Sequence, residues 1–411
     1  MNDQAGELDL ERVHLALRKT TETLVRELGT PQPTPPDWSQ LEWQVAKSAC
    51  AIHGISGLLA RGLHWRGPDH WQAFLCDQGR QIAGRWPRIQ GLLRRLDDCA
   101  VQQGVPMVGL KGVALQGLDV YGTGERPMAD VDLLVREEDV GRAADIILRM
   151  GYRESGTTWK HRSFEPATAR ARTVEIGEHT SADIKIELHT TLREALPLRT
   201  VDLTPLVFPA QARPGLNGYA SQTALLLHVM VHTSGTMIFR EGRALHLSDI
   251  ARLCARMSPA DWDGVMAIGA TEGGAALWWA YPSLQLADRY FACIPPQVLE
   301  LVARACPRRL HRWYRDRSLT DVSHSHLWVS AFPGLEWARS GREIATYVAR
   351  RIRPSAETIA QRREFARSQP LVSGGEWSRT SQPRRILRWL LARQPRQATL
   401  QGVRASLNLP T

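Results

Sequence analysis

The chain has 411 residues, 43% of them hydrophobic and 23% charged, enough to bury a sizeable core in two or three domains. Its formal net charge of +10 is concentrated at one end: residues 351–411 carry twelve arginines and three glutamates, so the body is close to neutral and is no general nucleic-acid coat. No run approaches the ~18 uncharged apolar residues of a membrane span, and no apolar leader core is visible at the N-terminus, so a cytoplasmic protein is expected.

From residue 8 to about 103 the apolar spacing is helical. Leu8, Val13, Leu15, Leu17, Leu24 and Val25 fall broadly on one side of a helical period, and PQPTPP (31–36) breaks the run. Further helices are expected over about 38–63 and 69–103, with Trp38, Trp43 and Trp65 as core. The six cysteines lie in such apolar surroundings without C-x-x-C spacing, as buried free thiols do. VPMVGL (105–110) then reads as a short buried strand, and a helix is expected from Lys111 to about Tyr121. ADVDLLV (129–135) is strand-like, and EEDVGRAADIILRMG (137–151) is an amphipathic helix ended by Gly151. TVEIGEH (173–179) and DIKIELH (183–189) are two further strand candidates.

Helices return after about residue 215 with SQTALLLHVMVHTSG, GRALHLSDIARLCARM and SPADWDGVMAIGA. The last opens on Ser258 as N-cap and Pro259 at the first helical position. Beyond Pro354, Arg, Gln, Ser, Pro and Gly dominate, which predicts a weakly ordered tail. Within it RRILRWLLAR (384–393) has the pattern of a short basic amphipathic helix, and Trp377 and Trp389 sit among arginines. The predicted plan is a helical region at 1–103, a small α/β core at 104–195, a helical domain at 196–350 and a basic tail at 351–411.

The chemistry lies in that core. On a strand, Asp130 and Asp132 project from one face while Val131 and Leu133 point the other way. Two such carboxylates repel unless a cation lies between them, and Mg²⁺, a hard ion that takes oxygen ligands, suits the pair. A lone D-x-D is also a common solvent-facing strand end, so its neighbours decide. Upstream, VGLKGVAL (108–115) sets Gly109, Lys111 and Gly112 where a strand turns into a helix. Small residues there let backbone N–H groups approach a phosphate, and Lys111 adds a point charge toward a triphosphate. The spacing matches neither a Walker loop nor a dinucleotide fingerprint. Arg126, held extended by Pro127, is a candidate phosphate clamp. Glu187, between Ile186 and Leu188, is a candidate third carboxylate able to act on an attacking hydroxyl, and Glu175 competes for that role.

Taken together, GLKG, RPMADVDLLV and, some fifty residues on, IELH resemble the nucleotidyltransferases of the polymerase-β superfamily. More narrowly they resemble a bacterial group described as uncharacterised nucleotidyltransferases, where LKG, RPM-x-D-x-D-L-L-V and a later [DE]-L-H recur. The arrangement is also similar to that of abortive-infection nucleotidyltransferase toxins. The motif-bearing resemblance covers about residues 100–192, with a weaker continuation in LLLHVMVHT and LSDIARL (225–253). It implies an α+β, predominantly helical fold in which a small mixed sheet carries the carboxylates between flanking helices. It further implies that Asp130, Asp132 and Glu187 are catalytic residues and ligands of two Mg²⁺ ions, with Gly109, Lys111 and Gly112 along the phosphates of an NTP. One departure stands out. The superfamily loop has Gly-Ser or Gly-Gly, whereas Gly112 here is followed by Val113, leaving phosphate contacts to Lys111 or the backbone.

His228 and His232 stand at i, i+4 as zinc donors would, but H-E-x-x-H is missing and no third ligand is evident. They are read first as polar residues on a packed helix; the alternative is that, with Asp249, Arg252, His161 and His189, they line the acceptor side of a cleft, His189 best placed because it shares the face of Glu187. The resulting expectation is a metal-dependent nucleotidyltransferase that moves an NMP from an NTP to an unidentified hydroxyl or phosphate acceptor and releases pyrophosphate. No motif specifies whether the acceptor is a small molecule, a modified peptide, a protein or tRNA. Two alternatives are a glycosyl transferase holding a nucleotide-sugar on the D-x-D, and a non-catalytic relative whose basic tail binds an acidic peptide or RNA.

Overall fold

The computed structural model describes residues 8–158, 160–169, 176–355, 358–359 and 380–409. The first hundred residues form α1 (Leu10–Gly29), α2 (Gln40–His53), α3 (Ser56–Gly62) and α4 (Asp69–Gln102). Asp9 caps α1 by accepting from the amides of Glu11 and Arg12, and Ser39 and Glu42 close a reciprocal capping box on α2. Leu15 is 64% exposed, because Val13, Ala16 and Leu17 already fill the buried stripe and the intervening position faces outward.

The core follows as β1 (Pro106–Gly109), α5 (Gly112–Gly117), β2 (Asp130–Leu134), α6 (Val140–Arg149), β3 (Tyr152–Thr157), β4 (His161–Pro166) and β5 (Lys185–His189). Then come β6 (Arg193–Leu196), β7 (Arg199–Asp202), α7 (Thr204–Val207) and β8 (Gly215–Asn217). Six strands make one mixed sheet in the order β3-β4-β5-β2-β1-β8, with β6 and β7 paired apart from it. The central pair, β2 and β5, is parallel and sets Asp132 opposite Glu187. One face of the sheet packs Val131, Leu133, Phe164, Ile186 and Leu188 against Ile89, Leu92 and Leu96 of α4 and Ile146 and Ile147 of α6. From the opposite face Val108 and Leu134 join the largest apolar core.

That larger core belongs to helices from both ends of the chain. After the sheet come α8 (Gln222–Ile238), α9 (Ala244–Cys254), α10 (Pro259–Gly274), α11 (Tyr281–Phe291), α12 (Pro296–Ala305), α13 (Arg308–Arg315), α14 (Gly341–Ile352), α15 (Gln382–Leu391) and α16 (Gln397–Ser406). Leu226, Leu227 and Met230 of α8 share one cluster with Trp38, Trp43, Trp65 and Trp71 and with Trp278 and Trp279. The fold is α+β and predominantly helical. Among the described residues no helix is long and apolar enough to cross a membrane.

Several expectations are corrected. In the strand candidate over 173–179, residues 176–179 are bend and coil, while 170–175, including Glu175, lie outside the described residues. Strands β3 and β4 escape a hydrophobic reading because most of their positions are only half buried and polar. The weakly ordered tail is in part packed: Val403 of α16 is buried in a cluster with Val13, Ala16 and Leu17. Leu390 and Leu391 of α15 are 61% and 78% exposed, on the basic helix expected there, and Trp377 lies outside the described residues. The cysteines are free, with Cys50, Cys254 and Cys306 buried but Cys76 exposed.

A buried arginine fixes the start of the central pair. Arg85 occupies a core position of α4, between Ile82 and Ile89, and is 2% exposed. Its guanidinium donates to the carbonyls of Met128 (2.9 Å) and Ala129 (3.0 Å) just before β2, and of Ala182 (2.7 Å) and Asp183 (3.0 Å) just before β5. Removing it leaves the buried Met128 carbonyl without its donor, at a cost of about 1–3 kcal/mol, and strips three part-buried carbonyls of theirs at a smaller cost each. Arg85→Ala is therefore expected to lower unfolding free energy by about 3 kcal/mol or more in urea titrations, whereas a loss below about 1 kcal/mol would show the clamp to be dispensable.

Candidate functional site

The site begins where β1 ends. Beyond Gly109, the Leu110 amide bonds the Asp132 carbonyl at 2.9 Å, and the chain then turns at Lys111, whose φ is +41°. A lysine in this left-handed region is strained and needs outside support. Tyr219 supplies it: its hydroxyl accepts from the Lys111 amide at 3.2 Å and lies 2.7 Å from His228 Nδ1. Gly112 follows because a Cβ there would sit 2.7 Å from Arg126 Nη1 and 2.8 Å from Met128 Sδ. Sequence reasoning missed Tyr219, which has no motif to mark it.

Lys111 Nζ reaches both carboxylate oxygens of Asp132 at 3.3 Å. His189 Nε2 lies 3.1 Å from Asp132 Oδ1 and 3.8 Å from Glu187 Oε2. On the neighbouring strand His161 Nδ1 stands 3.5 Å from the same Glu187 oxygen. Asp130 makes no ion pair among the described residues. Asp130, Asp132, Glu187, Lys111 and the Gly109–Gly112 turn are thus brought together on one sheet face.

Charge is unevenly settled across this face. Burial raises the carboxyl of Asp132, but the Lys111 ammonium and the His189 hydrogen bond outweigh it and hold Asp132 well below the usual carboxylate range. Burial, and then the Asp132 charge, push Asp130 up. Burial and the charges of Asp132 and Asp130 raise Glu187 from 4.5 to about 8. Burial alone would lower Lys111, yet Asp132, Asp130 and Glu187 together raise it, so it stays charged. Burial and the neighbouring His189 lower His161 to about 4, and burial with Lys111 lowers His228 to about 3, so both rings are neutral at neutral pH.

Arg126 reaches the site by a different route from the one expected. Its Nε and Nη2 donate to Asp249 Oδ1 and Oδ2 at 2.9 and 2.8 Å, and Tyr121 adds a third bond to Asp249 Oδ1 at 2.7 Å. This buried pair ties the segment leading into β2 to α9. Arg252 turns away, pairing with Glu125 at 2.8 Å over the Tyr121 ring. Two cavities flank the carboxylates and share Lys111 and His232. One, of about 340 Å³, is lined by Gly112, Arg126, Asp130, Asp132, Arg243 and Asp249 among others. The other, of about 170 Å³, is lined by Lys160, His161, Glu187, His189 and His228 among others.

Carboxylates from neighbouring parallel strands, beside a glycine-flanked lysine turn and roofed by helices, are the arrangement of a nucleotidyltransferase. The model of the family described as uncharacterised nucleotidyltransferase matches residues 39–292, and the chain belongs to that family. The match runs from the N-cap of α2 to the C-cap of α11, so it takes in helices on both sides of the sheet. No curated protein and no solved structure matches the chain.

The Glu187 shift has a sign that can be measured. A carboxyl raised on folding binds its proton more tightly in the native state, so its stabilisation is full below 4.5 and lost as pH rises through about 8. Glu187→Gln carries no such group. The melting temperature of metal-free Glu187→Gln should therefore rise relative to wild type across that window, and a difference that does not vary with pH would refute the shift.

Proposed function

We propose that the protein is a divalent-metal-dependent nucleotidyltransferase that moves an NMP from an NTP to a hydroxyl or phosphate acceptor with release of pyrophosphate. The observation that carries this reading is the register that sets Asp132 opposite Glu187, with Asp130 one pleat away, on the face met by Lys111. The donor set fits a hard cation, since buried Asp132 and half-buried Asp130 and Glu187 project from one sheet face and Lys111 is committed to Asp132 alone among them. Asp130, Asp132 and Glu187 would hold it. A cation bound there supplies a Lewis acid to the α-phosphate and offsets charge on the attacking and leaving oxygens.

The chain's own residues do the rest. Lys111, kept charged by its acidic neighbours, meets the triphosphate on the side of the larger cavity, where Gly112 leaves the backbone bare. The smaller cavity, beside Glu187, takes the acceptor. Once ionised, Glu187 accepts the proton of an attacking hydroxyl. Because it holds its own proton up to about 8 in the metal-free protein, loading the site expels that proton and strengthens as pH rises. Arg126 serves by fixing the wall of the cavity through Asp249, and a phosphate seeking its guanidinium must share it with that carboxylate.

Incubation with Mg²⁺ and each α-labelled NTP tests this directly. Label should pass to an acceptor fraction with stoichiometric pyrophosphate, and Asp132→Asn should reduce the rate by at least about 100-fold, the scale for losing one charge-stabilising group. Undiminished turnover in the double variant Asp130→Asn, Asp132→Asn would sink the assignment.

A further inference from the structure

We propose that His161, Glu187 and His189 form a binding site for a divalent cation of borderline softness, Zn²⁺ foremost, with donor atoms unlike those of the neighbouring Asp130–Asp132 pair. The site follows from strand register. β4 and β5 are antiparallel neighbours with His161 directly opposite His189, and Glu187 precedes His189 by one pleat. All three side chains therefore leave one face of the sheet.

The donor atoms are close to a coordination shell as they stand. One atom from each residue falls within 4.8 Å of the other two. Glu187 Oε2 is 3.5 Å from His161 Nδ1 and 3.8 Å from His189 Nε2. A tetrahedral ion with bonds of about 2.0–2.2 Å spaces its ligands by about 3.3–3.5 Å, so modest side-chain rotation closes the set. His161 Nδ1 is buried and makes no hydrogen bond, an unmet need that a metal bond would fill.

Charge points the same way. Lys111 is committed to Asp132, and Lys160, which lines the cavity, is bonded to Glu194 at 2.8 and 2.9 Å. Among the described residues no lysine or arginine stands at ion-pair distance from Glu187, whose near neighbours are the two imidazoles and Asp132. Two imidazoles and one carboxylate make the donor set of an open Zn²⁺ site, whereas Mg²⁺ takes oxygen ligands. The cavity of about 170 Å³ beside them leaves room for a water or an acceptor oxygen in the fourth position. If the nucleotidyl-transfer reading also holds, the enzyme carries two unlike cation positions that share the edge between Asp132 and Glu187. The metal site itself does not depend on that reading.

Co²⁺ serves as the probe. Full-length protein stripped with chelator and titrated with Co²⁺ should develop the intense visible bands of four- or five-coordinate cobalt. These should resist a 100-fold excess of Mg²⁺ and vanish on adding Zn²⁺. His161→Ala and His161→Gln, each checked for an unchanged melting temperature, should weaken Co²⁺ binding at least about tenfold, while Asp130→Asn keeps the bands. Weak octahedral bands in the wild type that Mg²⁺ abolishes would overturn the site without recourse to any variant. Wild-type affinity in both His161 variants would overturn it as well. Retained bands in a protein that transfers no nucleotide count against the nucleotidyltransferase reading alone.

Discussion

Three carboxylates, one buried and two half-buried, share one face of a sheet with one lysine among them, and much of the local structure answers that shortage of positive charge. Burial of an acid is tolerable if it is paired, hydrogen-bonded or neutral. Asp132 is both paired with Lys111 and hydrogen-bonded to His189, Glu187 keeps its proton, and Asp130 is raised by burial and then by Asp132, with no ion pair of its own among the described residues. Such a face is unstable toward any cation that fits it. The strain at Lys111 belongs to the same bargain, because the ammonium meets Asp132 only from a turn that Tyr219 holds in place.

How much of this was legible in the sequence depends on the range of the contact. Strands β2 and β5 announce themselves by alternation, since carboxylates at every second position between Val131, Leu133, Ile186 and Leu188 leave one pattern only. The glycine–lysine turn is likewise local. Strands β3 and β4 were silent because their side chains are half buried and polar, so hydrophobicity has no period to report. The Arg126–Asp249 pair joins residues 123 apart, beyond the reach of one sequence. Arg85 did leave a trace: it interrupts the apolar stripe of α4 where Ile82, Ile89, Leu92 and Leu96 mark the buried face. An arginine in such a stripe has carbonyls or carboxylates waiting for it. In the tail, overall composition outvoted the local pattern, and Leu400 and Val403 were lost in it.

On the proposed reading, the two cavities let one face receive two partners. Lys111 and His232 line both, so the carboxylates form a partition with the D-x-D facing one chamber and Glu187 the other. The helices that roof them come from both ends of the chain and share a single core with the sheet. A change in helix packing thus reaches both chambers.

Arg85 has a consequence for how the chain finds this fold. A parallel pair has no hairpin to bring its strands together, and here α6 and the β3–β4 hairpin intervene between β2 and β5. Helix α4 is complete in sequence before either strand, and the carbonyls it gathers belong to residues 128–129 and 182–183. The guanidinium is thus a clamp on which two distant segments meet in register, which predicts that β2–β5 pairing waits on the docking of α4. Closing such distant contacts is the slow part of forming a sheet. In this protein the rate-setting nucleus would then lie across a helix and two strand beginnings, outside the carboxylate cluster it finally assembles.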